Sequence, residues 1–184
     1  MKDLKVLLDE PRMFDCEAER AVNNCKGLLP LAEKALTKDS VMVELGSFAG
    51  VSTDLFARYA KTVHAVDIWT TYMERTSEST MQKAEDMFDL VAKDHENIIK
   101  VKGNSLEVCN DFEDESIDFV YIDSLHTHDH VKKEITNWLP KIKKTGYIGG
   151  HDYADVVGVS MAVRDFFHED IIEVFGDGSW LVKL

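Results

Sequence analysis

Short apolar runs alternate along the chain with longer amphipathic stretches, and this alternation predicts the fold class. The runs are of strand length, are rich in β-branched or aromatic residues, and lie at 41–45, 63–67, 98–102, 118–123 and 147–150. The stretches between them favour helices at 14–36, 51–60, 78–95, 104–111, 128–139 and 155–168, and residues 144–146 are expected to form a turn. Nearly continuous apolar strands that alternate with helices predict an α/β fold whose parallel sheet has helices on both faces.

The C-terminal pattern differs, because residues 171–175 and 180–184 are two apolar runs joined only by Gly176-Asp-Gly-Ser179. This predicts a hairpin, which brings the sheet to seven strands with the last antiparallel to the sixth. No repeat, linker or composition change divides the chain. We therefore expect a single domain over 1–184, in which 1–40 is an N-terminal helical segment that covers the site or builds a homo-oligomer. Residues 69–79 are the least periodic and are expected to form a loop or lid.

Composition narrows the class of protein. Hydrophobic residues make up 45% of the 184, enough for a full core. There are 34 acidic against 21 basic residues, a net charge of -13, which disfavours nucleic acid as a partner. The three cysteines are odd in number and not closely spaced, which indicates a reducing compartment. The N-terminus has no apolar signal core and no run of 18 apolar residues occurs, so we expect a soluble, cytoplasmic protein that binds no membrane.

The first strand runs into a helix through a turn of small residues, Glu44-Leu-Gly-Ser-Phe-Ala-Gly50. Gly46 and Gly50 allow close approach of the backbone to a ligand, and the helix start offers free N–H groups. A dinucleotide site favours Gly-x-Gly-x-x-Gly, whereas this turn is wider and carries an acid where a diphosphate would be repelled. The pattern favours a ligand with a sulfonium and an ammonium group, S-adenosylmethionine, with Ser47 and Ser52 among its contacts. A tight turn that binds no ligand is the alternative.

The next two strand ends also carry nucleoside chemistry. Asp67 ends the second strand and can accept the hydroxyls of a ribose, and Trp69 is placed to lie against an adenine. Asn104 and Ser105 follow the third strand, where their side chains can read the purine edge. By itself, Asp67 is equally consistent with a strand-end cap.

A cluster of acids and histidines follows the fourth and fifth strands. Side chains just beyond neighbouring carboxyl ends of an open sheet converge, so we expect Asp123, His151 and Asp152 to share one cation. Two carboxylates favour Mg²⁺, and an imidazole ligand also admits Mn²⁺. His128 and His130 are expected to be solvated residues at the start of a helix.

These motifs together resemble class I S-adenosylmethionine-dependent methyltransferases over residues 41–184. Within that family, Ile122-Asp-Ser-Leu-His126 and Gly149-Gly-His-Asp-Tyr153 are similar to metal-dependent O-methyltransferases related to macrocin O-methyltransferase. The resemblance implies a Rossmann-like, mostly parallel sheet and a small-molecule acceptor hydroxyl, on a sugar or a glycosylated compound. It also implies that His126, three residues after Asp123, is the general base. His151 departs from the family, which usually has a carboxylate or an amide there.

Two other functions stay open at this stage. A metal-dependent hydrolase or hydroxylase could use the Asp/His cluster without a methyl donor, although it would have no need of a nucleoside pocket. A non-catalytic nucleoside-binding module could keep the glycine turn alone, although it would have no need of Asp123, His126 and Asp152.

Overall fold

The computed structural model describes residues 18–71 and 77–184. The strands are β1 (Val41–Leu45), β2 (Thr62–Asp67), β3 (Ile98–Lys102), β4 (Ile117–Ile122), β5 (Ile142–Gly150), β6 (Glu173–Val174) and β7 (Trp180–Lys183). The α-helices are α1 (Ala18–Ala35), α2 (Val51–Ala57), α3 (Glu78–Lys93), α4 (Ser105–Val108), α5 (His128–Trp138) and α6 (Val157–Arg164). Short 3₁₀ helices lie at Cys109–Asp111, Leu139–Lys141 and Glu169–Ile171.

The described strands form one sheet in the spatial order β3-β2-β1-β4-β5-β7-β6. The pairs from β3 to β5 are parallel, and β7 is antiparallel both to β5 and to β6. The predicted seven-stranded, mostly parallel sheet with an antiparallel C-terminal strand is confirmed. From β1 the chain adds β2 and β3 on one side and then β4 and β5 on the other side, so the strand order reverses between β1 and β4.

Helices cover both faces of the sheet. Successive strand residues point to opposite sides, so each strand contributes side chains to both layers. Val43 and Leu45 of β1 join the buried cluster that contains α5 and α6. Met42 of the same strand joins the cluster that contains α1 and α2, and α3 packs beside α2 through Phe88. Helices α4 to α6 thus cover one face, and α1 to α3 cover the other.

Two predicted boundaries are wrong. Residues 144–146 do not form a turn, because β5 begins at Ile142 and contains them. A β-carbon on Gly146 would lie 2.7 Å from the carbonyl oxygen of Asp118. This glycine therefore allows β5 to approach β4 closely where the pairing register of the two strands shifts. The sixth strand is only Glu173–Val174, since a 3₁₀ helix takes up residues 169–171.

The structure describes both ends of the predicted loop or lid at 69–79. Residues 72–76 lie outside the described ranges, as do 1–17 of the N-terminal segment. At the other end of the loop, Ser77 caps α3 by accepting a hydrogen bond from the Thr80 amide, so 78 and 79 belong to a helix. Within 18–71 and 77–184, no helix is both long enough and apolar enough to cross a bilayer.

Candidate functional site

The carboxyl ends of the five parallel strands are joined in a single row. Beyond the regular ladder, four amides each donate a hydrogen bond to the last carbonyl of a neighbouring strand or to the one before it: Gly103 to Asp67 (2.9 Å), Gly46 to Val66 (2.8 Å), Asp123 to Leu45 (2.8 Å) and His151 to Ile122 (3.1 Å). Every segment that the sequence singled out therefore leaves the sheet at the same edge.

The centre of this row is the point where strand order reverses, between β1 and β4. Open α/β sheets bind ligands in the crevice outside such a point. Gly46 has φ 91°, and a β-carbon there would lie 2.2 Å from the carbonyl oxygen of Asp123. Gly50, with φ 83°, is the N-cap of α2. The glycine turn and the Asp123 loop are thus in direct backbone contact, which only glycine permits.

Glu44 is fully buried beneath this turn. Its carboxylate accepts hydrogen bonds from the hydroxyls of Ser47 (2.9 Å), Ser52 and Thr53. Burial raises the pKa of Glu44 to about 7, and the hydroxyl donors only partly oppose that rise. The polar atoms of Glu44, Ser47 and Ser52 thus bind one another and fasten the turn to α2. Their contact with a methyl donor stays a prediction.

Asp67 lies beside the turn and is also largely buried. Its two carboxylate oxygens accept hydrogen bonds from the amides of Phe48 and Trp69, each at 2.8 Å. Burial raises its pKa, and these backbone donors oppose the rise. A carboxylate offers about four lone-pair sites, so both oxygens keep capacity for ribose hydroxyls.

Trp69 packs into the protein. Only 4% of its surface is exposed, and its Nε1 donates to the carbonyl oxygen of Phe48 at 2.8 Å. Its ring lies against Phe88, with the Lys100 ammonium 4.8 Å from the ring centre. This packing does not favour the expected stacking on an adenine, which stays a prediction. By contrast, Phe48 is 41% exposed, and its backbone N–H and carbonyl are bonded to Asp67 and Trp69.

The residues after β3 form hydrogen bonds within the protein, one of them local and the others to helix α5. The Oδ1 of Asn104 caps α4 by accepting the Leu106 amide at 3.0 Å. The Ser105 hydroxyl donates to the Oε1 of Glu134 at 2.6 Å, and its carbonyl accepts from the Nε1 of Trp138 at 3.0 Å. Their reading of a purine edge stays a prediction.

Sequence reasoning did not identify Glu134. It lies on α5 within the apolar stripe that Val131, Ile135 and Trp138 form, and all four are buried. A carboxylate inside an apolar helical stripe is the signal that could have marked it. His130 is also largely hidden, with its Nε2 3.3 Å from Glu134 and 13% of its side chain exposed, so its prediction as a solvated residue is wrong.

The structure brings Asp123 and Asp152 together, with His126 between them. The Nε2 of His126 lies 3.1 Å from Oδ1 of Asp123 and 3.0 Å from Oδ2 of Asp152. Ligand atoms of these three residues all lie within 4.8 Å of one another, and all three are partly exposed. The hydrogen bond to Asp123 raises the pKa of His126, because burial is outweighed by the two carboxylates. Asp123 and Asp152, called the acid pair below, therefore stabilise positive charge at this point.

His151 lies one step away from this group. Its Nδ1 is 3.2 Å from the Oδ1 of Asp152, the oxygen that does not face His126. Burial lowers its pKa, but Asp152 and the further charges of Asp123 and Asp177 outweigh burial and raise the pKa to about 9. Its Nε2 is buried and has no hydrogen-bond partner among the described residues. Its predicted role as a ligand stays a prediction, since the observed contact is to a carboxylate.

Backbone strain is concentrated at this edge. Four described residues other than glycine have positive φ, and three of them are Phe48 (45°), Trp69 (42°) and Asp152 (61°). Such conformations cost about 1–3 kcal/mol each and persist where the surroundings impose them. They lie in the glycine turn, just after β2 and just after β5, which are segments that meet at this edge of the sheet.

Comparison with known protein families identifies a segment of the chain that includes this edge of the sheet. A family model described as "Methyltransferase domain" matches residues 43–153, more than half of the chain. This range begins in β1 and ends just after Asp152, so it contains both the glycine turn and the acid pair.

The relatives that match this chain are distant. The uncharacterized protein y4gI of Sinorhizobium fredii is 26% identical over 121 residues, which is 60% of this chain and only 13% of the length of that protein. Phosphoethanolamine N-methyltransferase 1 of Haemonchus contortus, solved with phosphoethanolamine and S-adenosylhomocysteine, is 14% identical with a TM-score of 0.61 over 89% of this chain and 42% of its own. SMU.1697c of Streptococcus mutans, solved with S-adenosylhomocysteine, is 16% identical with a TM-score of 0.58 over 84% and 94%. These two structures share the fold.

Proposed function

The chain belongs to the methyltransferase domain family, the enzyme class that its sequence predicted, and on that premise we propose an S-adenosylmethionine-dependent O-methyltransferase assisted by a divalent cation. The observation that carries the proposal is the backbone contact between Gly46 and Asp123. That contact sets the proposed donor turn directly beside the acid pair. A methyl donor and an acceptor oxygen must meet in line at such a junction.

The donor fits the part of the row that runs from β1 toward β3. Gly46 and Gly50 both have positive φ and carry no side chain, so they leave backbone open to a ligand at the two ends of the turn. Asp67 would receive the ribose hydroxyls on its remaining lone pairs. The two neighbours reported with S-adenosylhomocysteine share this fold and support the choice of donor.

The acid pair fits a hard divalent cation, Mg²⁺ or Mn²⁺. Asp123 and Asp152 converge on one point and stabilise positive charge there, as the raised pKa of His126 indicates. A divalent cation at this point would lower the pKa of an acceptor hydroxyl nearby. His151 would orient Asp152 from behind through its 3.2 Å contact.

His126 is the proposed general base, since a divalent cation at Asp123 and Asp152 would offset the two carboxylates that raise its pKa and would leave the imidazole neutral. Its side chain is 39% exposed and lies at the acid pair, so it is within reach of an acceptor in the crevice. Its Nε2 would take the proton from the acceptor oxygen as the oxygen–methyl bond forms and the methyl–sulfonium bond breaks, which leaves a neutral ether, S-adenosylhomocysteine and a protonated imidazole. The expectation of a sugar or a glycosylated small molecule as the acceptor comes from the resemblance to the macrocin branch.

The test is methyl transfer from labelled S-adenosylmethionine to a panel of glycosides with vicinal hydroxyls, with and without EDTA. We expect EDTA to abolish transfer and added Mn²⁺ or Mg²⁺ to restore it. His126→Ala should lower kcat by about 10²- to 10⁴-fold without changing the affinity for Mn²⁺. Asp123→Asn should lower both kcat and the affinity for Mn²⁺. The exposed His168→Ala serves as the matched control.

Three results would contradict parts of the proposal. Transfer that persists in EDTA would remove the cation, and unchanged turnover in His126→Ala would remove the base. A loss of Mn²⁺ affinity in His126→Ala would make this histidine a ligand instead.

A further inference from the structure

Glu134 is a fully buried carboxylate that has no part in the proposed chemistry. Its Oε1 accepts hydrogen bonds from the hydroxyls of Ser105 (2.6 Å) and Ser124 (2.7 Å). The Nε2 of His130, on the preceding turn of α5, lies 3.3 Å from the same oxygen. One oxygen atom therefore gathers three polar groups from three segments.

The two serines belong to different halves of the site. Ser105 opens α4 directly after β3, on the side of the proposed nucleoside pocket, whereas Ser124 is the neighbour of Asp123. Trp138, one turn beyond Glu134, donates to the Ser105 carbonyl at 3.0 Å. Helix α5 thus holds both the side chain and the backbone of Ser105, and the same carboxylate also holds the loop of the acid pair.

Stability alone does not explain a carboxylate at this position. The second oxygen, Oε2, is buried and accepts no hydrogen bond from any described residue. A buried ionisable group that is only partly satisfied is a poor source of folding energy compared with an apolar side chain of similar volume. What a shared carboxyl oxygen provides here is fixed geometry for two hydroxyls that lie on separate segments.

We infer that Glu134 is a positioning residue that ties the nucleoside side of the site to the loop of the acid pair. The inference rests on the proposed function, because it assigns the two loops to the donor and the cation. Ordering of the Ser124 loop then supports donor binding even though Ser124 belongs to the other half of the site.

The experiment measures the Kd of S-adenosylhomocysteine by calorimetry on the full chain, below the thermal transition of each variant. We expect Glu134→Gln to weaken binding about tenfold and Glu134→Met about 100-fold, because glutamine keeps a weaker acceptor for the two serine hydroxyls and methionine keeps almost none. Glu96→Met, the same change at an exposed position, should bind like the wild type. A merely structural Glu134 would lower the melting temperature and leave these Kd values unchanged.

A double-mutant cycle separates coupling from direct contact. Ser124→Ala should weaken binding about tenfold in the wild type and less than about twofold in Glu134→Met, or in Glu134→Leu if the methionine variant does not fold. An effect of Ser124→Ala that persists without Glu134, or a Kd unchanged in both Glu134 variants, overturns the inference. Wild-type protein that does not bind S-adenosylhomocysteine contradicts the proposed function itself.

Discussion

Glu44 shows how burial changes the use of a carboxylate in the site. Its place at the end of a strand predicted a partner for a cationic ligand, but the structure gives it three hydroxyl partners and no exposed surface. Its pKa of about 7 lies well above the usual value of 4.5. The glycine turn therefore rests on an acid whose charge is unfavourable in the folded state.

Stability should depend on pH through Glu44. A folded pKa raised above its unfolded value means that the stabilising contribution is complete below pH 4.5 and is lost as pH rises through 7. Between pH 5 and 8 the wild type should lose about 2–3 kcal/mol of unfolding free energy relative to Glu44→Gln. Urea unfolding of both proteins across this range measures the difference.

The comparison with Glu44→Gln cancels the titration of other groups, such as His151, because they are present in both proteins. Glu96→Gln, which removes an exposed carboxylate, is the control for overall charge. A difference between wild type and Glu44→Gln that stays constant from pH 5 to 8 would show that the buried Glu44 does not titrate in this range.

At the scale of elements, the β1–α2 turn is where local conformation and long-range contact coincide. Gly46 needs a positive φ and also lies against the carbonyl of Asp123, which follows β4 much later in the sequence. Gly176, in the β6–β7 turn, has no positive φ, and a β-carbon added to it would meet no heavy atom within 4 Å. These two glycines form a matched pair.

Gly46→Ala should destabilise the protein by at least about 2 kcal/mol, because the new methyl group both strains the backbone and displaces the Asp123 loop. Gly176→Ala should stay within about 0.5 kcal/mol of the wild type. Denaturant unfolding measures both, and S-adenosylhomocysteine binding should be lost only in Gly46→Ala. Equal effects of the two substitutions would mean that the turn tolerates a β-carbon by moving.

At the scale of the whole molecule, the site joins five strands of one sheet, so a ligand there should stabilise the entire fold. The chain is strongly acidic, with a net charge of -13, and the proposed cationic ligands should bind without opposition from that charge. Stabilisation of the folded state by a ligand follows from mass action and needs no change of shape.

S-adenosylhomocysteine at about 100 times its Kd should raise the unfolding free energy by about 2.7 kcal/mol. For a chain of this size that corresponds to a rise of about 5–11 °C in melting temperature. NAD at the same concentration should give no shift, because the turn lacks the Gly-x-Gly-x-x-Gly spacing and carries Glu44. A shift with NAD and none with S-adenosylhomocysteine would contradict the proposed donor.

Periodicity in the sequence was enough to predict the seven strands, the antiparallel end and most helix bounds, because alternation of buried and exposed positions is a local property. It failed at 144–146, where Gly146 looked like a turn residue but lies against a neighbouring strand. Local patterns do not report which backbone passes close to a glycine.

The sequence by itself determined that Gly46, Asp67, Asn104, Asp123 and His151 leave parallel strands at one edge, since strand ends follow from periodicity and the family motifs. Only the tertiary structure decided which side chains remain accessible there: Asp123, His126 and Asp152 are partly exposed, whereas Glu44 and Glu134 are closed in by helices. The reason is physical. Burial and hydrogen bonding of a side chain depend on segments that are distant in sequence, such as Ser105 and Glu134, which only the packed helices bring together.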